Sequence, residues 1–140
     1  MVVTACSCEK PMDDPKIPTE INTLADLQGI WNFEYVGNLS TEKFTTYEQL
    51  YAAYPKIGPY NFLLSFNFNG NSCTLTDKVN GIIGTYTVDY SEVAKRISLL
   101  SGPNGVVVYK FYISSYSAPE LILRYYYYDI YTIFLAVKKQ

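Results

Sequence analysis

Histidine is absent from these 140 residues, cysteine occurs three times, and charged side chains make up only 17% of the chain. Without an imidazole there is no His-based general base or triad, and with no Cys-x-x-Cys pair the usual zinc, copper and haem ligand sets cannot be assembled. A Gly-rich phosphate loop is missing too, and Cys73 has no histidine to activate it. The carboxylates Glu34, Asp89 and Glu120 fall on outward faces and turns of the predicted strands, whereas paired acid chemistry needs two carboxyls held close together in a cleft. The chain therefore reads as a non-enzyme without cofactor or metal. Its 11 basic residues are scattered and its formal net charge is −2, which argues against nucleic acid as a partner. No apolar run approaches the roughly 20 residues that a membrane helix needs.

What the chain has in quantity is aromatic residues: 15 Tyr and seven Phe among 49% hydrophobic residues. Aromatic side chains with alternating neighbours favour strands, and a chain of this size buries one core. A short turn is expected at Thr23 to Leu27, capped by Thr23 with Asp26 three positions on. Gly29-Ile30-Trp31 then opens the first strand, Gly29 to Val36, with Trp31, Phe33 and Tyr35 on its inner face. Glycine lets backbone approach closely while the indole closes one end of a barrel. Thr46-Tyr47-Glu48-Gln49 reads as a capping box, and Tyr47, Leu50, Tyr51 and Tyr54 fall at i, i+3, i+4 and i+7 of one amphipathic helix that stops near Pro55.

From Tyr60 onward the period is two. Tyr60, Phe62, Leu64, Phe66 and Phe68 share a face and lead to a hairpin signal at Asn69-Gly70. Asn71 to Asp77 is the third strand, Asn80-Gly81 the next turn, and Ile82, Gly84, Tyr86, Val88 and Tyr90 share the inner face of the fourth. A fifth strand runs from about Lys95 to Ser101, with Pro103-Asn104-Gly105 after it. Val107, Tyr109, Phe111 and Ile113 face inward on the sixth; Leu121, Leu123, Tyr125 and Tyr127 do so on the seventh. A turn at Asp129, marked by neither Gly nor Pro, separates Ile130 to Lys138 as the eighth strand, because the final stretch exceeds an ordinary strand. Eight sequential strands without helical crossovers require antiparallel neighbours, and closure satisfies so long a one-sided sheet best. The expected fold is all-β: an eight-stranded antiparallel up-and-down barrel over residues 23–140, with a short helix in the first inter-strand loop.

The N-terminal 22 residues read differently. Val3-Thr4-Ala5-Cys6 resembles the lipobox of bacterial lipoproteins, which implies lipidation at Cys6, although no charged and apolar signal-peptide regions stand before it. A chance tetrapeptide on a cytoplasmic protein is the alternative. Ser7 to Glu20, charged and carrying Pro11, Pro15 and Pro18, is a semi-rigid tether, and its early acidic residues look like the export signals of some surface lipoproteins. A lipid anchor implies the bacterial outer membrane or cell surface. Cys73 alternates with Leu75 and reads as a small buried hydrophobe, with a Cys8 to Cys73 disulfide unsupported by spacing.

Gly29-x-Trp31 after a short turn, at the head of an eight-strand meander with a long first loop, resembles small bacterial lipocalin-like domains over about Leu24 to Lys138. Three features depart from that family. Its last-strand Arg over the motif Trp is missing, leaving Lys138 and Lys139 there and Arg124 one strand earlier as a substitute cation. A Thr-Asp-Tyr type motif is absent between the sixth and seventh strands, Thr87, Asp89 and Tyr90 standing elsewhere as an ordinary strand end. No C-terminal helix follows the barrel.

The resemblance implies a monomer that binds a small apolar or amphipathic molecule inside the barrel, lined by Trp31, Phe33, Tyr35, Phe62, Phe66, Tyr86, Tyr109, Phe111, Tyr125 and Tyr127. The Tyr47 to Tyr54 helix is then a candidate lid. The same rings are bulky enough to fill a barrel of this size without a ligand. In Tyr125-Tyr126-Tyr127-Tyr128, alternation points Tyr126 and Tyr128 outward, near Tyr112 or Tyr131. The second reading is therefore a filled barrel whose exposed tyrosines engage an envelope protein or a glycan.

Overall fold

The structure, a computed structural model, describes residues 17–58, 61–128 and 130–140. Cys6, most of the tether, Tyr60 and Asp129 lie outside the described residues. Eight strands form one closed antiparallel barrel in sequence order: β1 (Gly29–Gly37), β2 (Leu64–Asn69), β3 (Ser72–Asp77), β4 (Gly81–Ser91), β5 (Arg96–Leu100), β6 (Val107–Ser117), β7 (Glu120–Tyr127) and β8 (Tyr131–Lys139). One short helix, α1 (Tyr47–Ala53), stands in the first loop, and a 3-10 turn at Leu24–Leu27 precedes β1. The ring closes through β1 and β8, from Trp31↔Lys139 to Gly37↔Phe134. At the level of topology this is the expected lipocalin-like barrel.

Both predicted caps form, with one shift. Asp26 Oδ2 accepts from Thr23 N at 3.0 Å and from Asn22 N at 2.8 Å, fixing the 3-10 turn. In α1 the Thr46 hydroxyl accepts from Gln49 N at 3.2 Å, but Gln49 reaches back to Thr45 N at 2.9 Å rather than to the cap residue.

The core is continuous from end to end. Trp31, Phe66, Phe111, Leu75, Ile97 and Leu99 are fully buried inside the ring. Phe66 meets Phe111 edge-on with ring centroids 5.2 Å apart, and Phe111 meets Tyr125 at 5.5 Å. Cys73 is buried as a free thiol, and burial pushes it up to about 12.

Four register shifts coil the sheet, and they overturn three inward assignments. The shift between Phe33 and Tyr35 pairs Tyr35 with Ala136 on the outer side and returns Val36 to the core. Tyr35 therefore lies beneath the Lys43 ammonium, 5.0 Å from its ring, and not inside the barrel. On β4 the shift opposite Leu75 and Thr76 leaves Ile82 74% exposed, and Ile83 packs against the core instead. A third shift, between Leu99 and Leu100, leaves Val107 half exposed. The fourth, between Ile113 and Ser115, brings Tyr116 edge-on to Trp31 at 6.0 Å.

The cation over the motif tryptophan is Lys139, not Arg124. Its ammonium lies 6.0 Å from the Trp31 ring, while Trp31 Nε1 donates to Leu27 O at 2.8 Å. Arg124 stacks on the outer wall instead, over Tyr112 at 5.8 Å and Tyr126 at 6.0 Å. Lys139 is 4% exposed, its Nζ has no hydrogen-bond partner among the described residues, and burial pulls its pKa down.

Trp31→Ala should destabilise the barrel by about 3 to 5 kcal/mol in urea denaturation, as expected for a buried aromatic deletion. Lys139→Met, which removes a buried charge of similar length, should be neutral or stabilising. A lysine pKa lowered by folding means the folded state sheds its proton first. Wild type should therefore gain stability relative to Lys139→Met as pH rises toward 10.5, and a constant difference between the two would contradict the burial.

Candidate functional site

The barrel has a closed end and an open end. At the closed end lie Trp31, the 3-10 turn and the start of the described chain, where Tyr116 Oη donates to Pro18 O at 2.5 Å and Lys95 Nζ to Ile21 O at 3.2 Å. At the open end α1 covers the mouth beside β2 and β3. Leu50 is fully buried there, with Phe62 and Leu63 beneath it. Tyr47 Oη donates to a carboxylate oxygen of buried Asp77 and accepts from Phe62 N at 2.7 Å. Asp77 also accepts from Val79 N at 2.8 Å and Asn80 N at 3.0 Å, so one carboxylate ties the helix to the β3–β4 hairpin. Tyr51 stacks on Tyr47 at 5.3 Å, and Tyr54 meets Tyr131 edge-on at 5.5 Å while donating to Glu42. Every predicted lid residue is thus engaged with the barrel or with the loop around it.

A cleft opens in the wall. Strands β6 and β7 are in register only from Tyr112↔Arg124 to Ser117↔Glu120. Beyond Tyr112, β6 remains paired with β5 as far as Val107, and β7 remains paired with β8 as far as Tyr127, so the two strands part from each other toward the open end. A cleft of about 660 Å³ occupies the gap. From the inner side it is lined by Tyr109, Tyr125 and Tyr127; from the outer side by Val108, Lys110, Tyr112 and Tyr126, with Val107 and Tyr128 at the rim.

Three of the ten residues expected to line a pocket meet at this cleft: Tyr109, Tyr125 and Tyr127. Trp31, Phe62, Phe66 and Phe111 are packed in the core, and Phe33 and Tyr86 pack against it half-buried. The outer tyrosines that alternation separated from the inner set, Tyr126 and Tyr128, line the same cleft, because parted strands show both faces of their edges. Val107, Val108 and Lys110 carried no signal beyond three consecutive valines.

Two features mark the cleft chemically. Burial, followed by the neighbouring Tyr109, Tyr127 and Tyr128, pushes the Tyr125 phenol up to about 12. Tyr128 holds a left-handed backbone, φ 48°, which costs a bulky residue on the order of 1 to 3 kcal/mol. It starts the β7–β8 turn, where Ile130 N donates to Tyr127 O at 2.9 Å. Next to the cleft in sequence, Val106 and Ile130 are, like the lining Tyr128, each more than 60% exposed.

Glu34 and Glu120, read as separated, stand close to one another on the outer wall beside Tyr35. Burial, then Glu34, raises the Glu120 carboxyl. The bulge in β1 makes this meeting, by turning Glu34 and Tyr35 together toward β8. The pair stands at the closed-end start of β7, away from the cleft.

No protein-family model, curated protein or solved structure matches this chain significantly. The lipocalin-like description therefore rests on strand number, order and closure, and extends to no particular family.

Tyr47→Phe should cost about 1 to 3 kcal/mol, because it leaves the buried Asp77 carboxylate and the Phe62 amide short of a partner, and α1 amides should exchange faster. Folding raises the Tyr47 and Tyr125 phenol pKa values, so their contribution is complete below pH 10 and is lost as pH climbs toward 12 and beyond. Wild-type stability should fall over that range, more steeply than in Tyr125→Phe. Parallel curves would contradict the burial of Tyr125.

Proposed function

We propose that this protein is a non-enzymatic binding module of the bacterial envelope, monomeric and lipid-anchored at Cys6, that holds a small apolar or amphipathic ligand in the cleft between β6 and β7. The observation that carries this reading is the partial seam: aromatic residues from both faces of the wall converge on one accessible gap, while the barrel interior is occupied by packed rings. The anchor is supported by the Val3 to Cys6 pattern and the Pro-containing segment after it. The described chain starts at the closed end, so a tether leaving from there would hold the cleft end away from the anchoring membrane.

The outer ladder of Tyr112, Arg124 and Tyr126 favours a second reading, in which the same surface stacks on a glycan or an envelope protein. Native mass spectrometry of the protein purified from a bacterial host separates the two. A solvent-removable small-molecule adduct is expected, and Val108→Asp, a change at a half-exposed wall position, should abolish it while shifting stability by about 0.5 kcal/mol or less. A clean apo mass combined with co-purification of one envelope protein would favour the second reading. An adduct that survives Val108→Asp would place the ligand outside the cleft.

A further inference from the structure

We infer that the ligand of the β6–β7 cleft is a planar aromatic anion, its ring held among the tyrosines and its negative group read by Lys110. The inference rests on the cleft being a binding site and adds the class of molecule it takes.

Six of the nine lining residues are tyrosines and two are valines, so the walls offer ring faces, ring edges and phenol hydroxyls. Aromatic edges and faces recognise a flat ring better than a flexible chain, which loses more conformational freedom on binding. The ninth residue, Lys110, is the only charged one among the described lining residues, and none of these is a carboxylate. The Lys110 ammonium has no ion pair or hydrogen bond among the described residues.

A second cation stands where the two strands join. Arg124, opposite Tyr112 in the last register pair before the strands part, donates from Nη1 to Tyr126 Oη at 3.1 Å. Its guanidinium stacks over Tyr112 and Tyr126, and its Nε is buried without a hydrogen-bond partner among the described residues. Two lining rings are therefore held by a cation, and Lys110 adds a second positive charge two residues from Tyr112 on the same outer face. The nearest carboxylate along this outer row is Asp89, separated from Lys110 by Ser98 across β5. The field at the joined end of the cleft thus favours a negative group, while the valine rim favours an apolar body.

The test measures binding of naphthalene-2-carboxylate, naphthalene-2-carboxamide and decanoate to the full chain at low salt. The carboxylate should bind about tenfold more tightly than the carboxamide, the size of one charge-assisted contact. Lys110→Gln, a change at an exposed position, should erase that difference by weakening the carboxylate about tenfold. Decanoate, with the same charge and no ring, should bind more weakly than the naphthalene carboxylate. Equal affinities for carboxylate and carboxamide, or a preference that persists in Lys110→Gln, would overturn the anion assignment while leaving the cleft as a binding site. Decanoate binding as tightly as the aromatic acid would overturn the ring assignment. Failure of all three probes would refute the cleft as the site, and the ligand class with it.

Discussion

Pairing of the first strand with the last is the constraint on which the rest of this protein depends. An antiparallel meander has two free edges, and each exposes a row of unpaired backbone donors and acceptors. The β1–β8 register removes both edges at once and defines an inside. Trp31, Phe66, Phe111 and the leucines of β3, β5, β7 and β8 then share one dry volume. Closure also sets Lys139 opposite Trp31, since the last residues of β8 must lie beside the first of β1. The buried lysine is a consequence of the ring's register, and it costs desolvation that the indole offsets only in part.

Closure is incomplete along one line. Where β6 and β7 part, the wall gives up backbone pairing and exposes rings from both faces, and the strained Tyr128 stands at the edge of that gap. Backbone strain in a bulky residue persists where surrounding structure over-determines it, commonly beside functional surfaces. The mouth of the barrel, by contrast, is occupied by α1 and its Tyr47–Asp77 contact. The interior is thus filled by packed rings, and an accessible gap lies in the wall.

Strand number, order and polarity were legible because period-two runs and turn dipeptides carry them directly, as at Phe62 to Phe68 and Asn69-Gly70. The 3-10 turn, α1 and the single-residue precision of most strand ends followed from caps and apolar spacing. Inward faces failed at the bulges. An extra residue inverts everything beyond it, which is why Tyr35, Ile82 and Val107 face differently from their alternation, and no local residue type announces a bulge. The cation over Trp31 was misassigned because register across the closing seam, and not proximity in sequence, decides which strand supplies it. The cleft itself was invisible: Tyr125 to Tyr128 gave two separate faces, and only the divergence of two strands, a property of the whole ring, makes them one site.

The most direct test of an open half-seam is residue-resolved amide hydrogen exchange on the free protein, comparing β7-facing amides of Val107–Phe111 with those of Tyr112–Ser117. The account predicts exchange about 100-fold faster in the first stretch, since its strand is paired on one side only. Equal protection along the whole of β6 would mean that the wall is sealed, and would contradict the cleft as the proposed binding site.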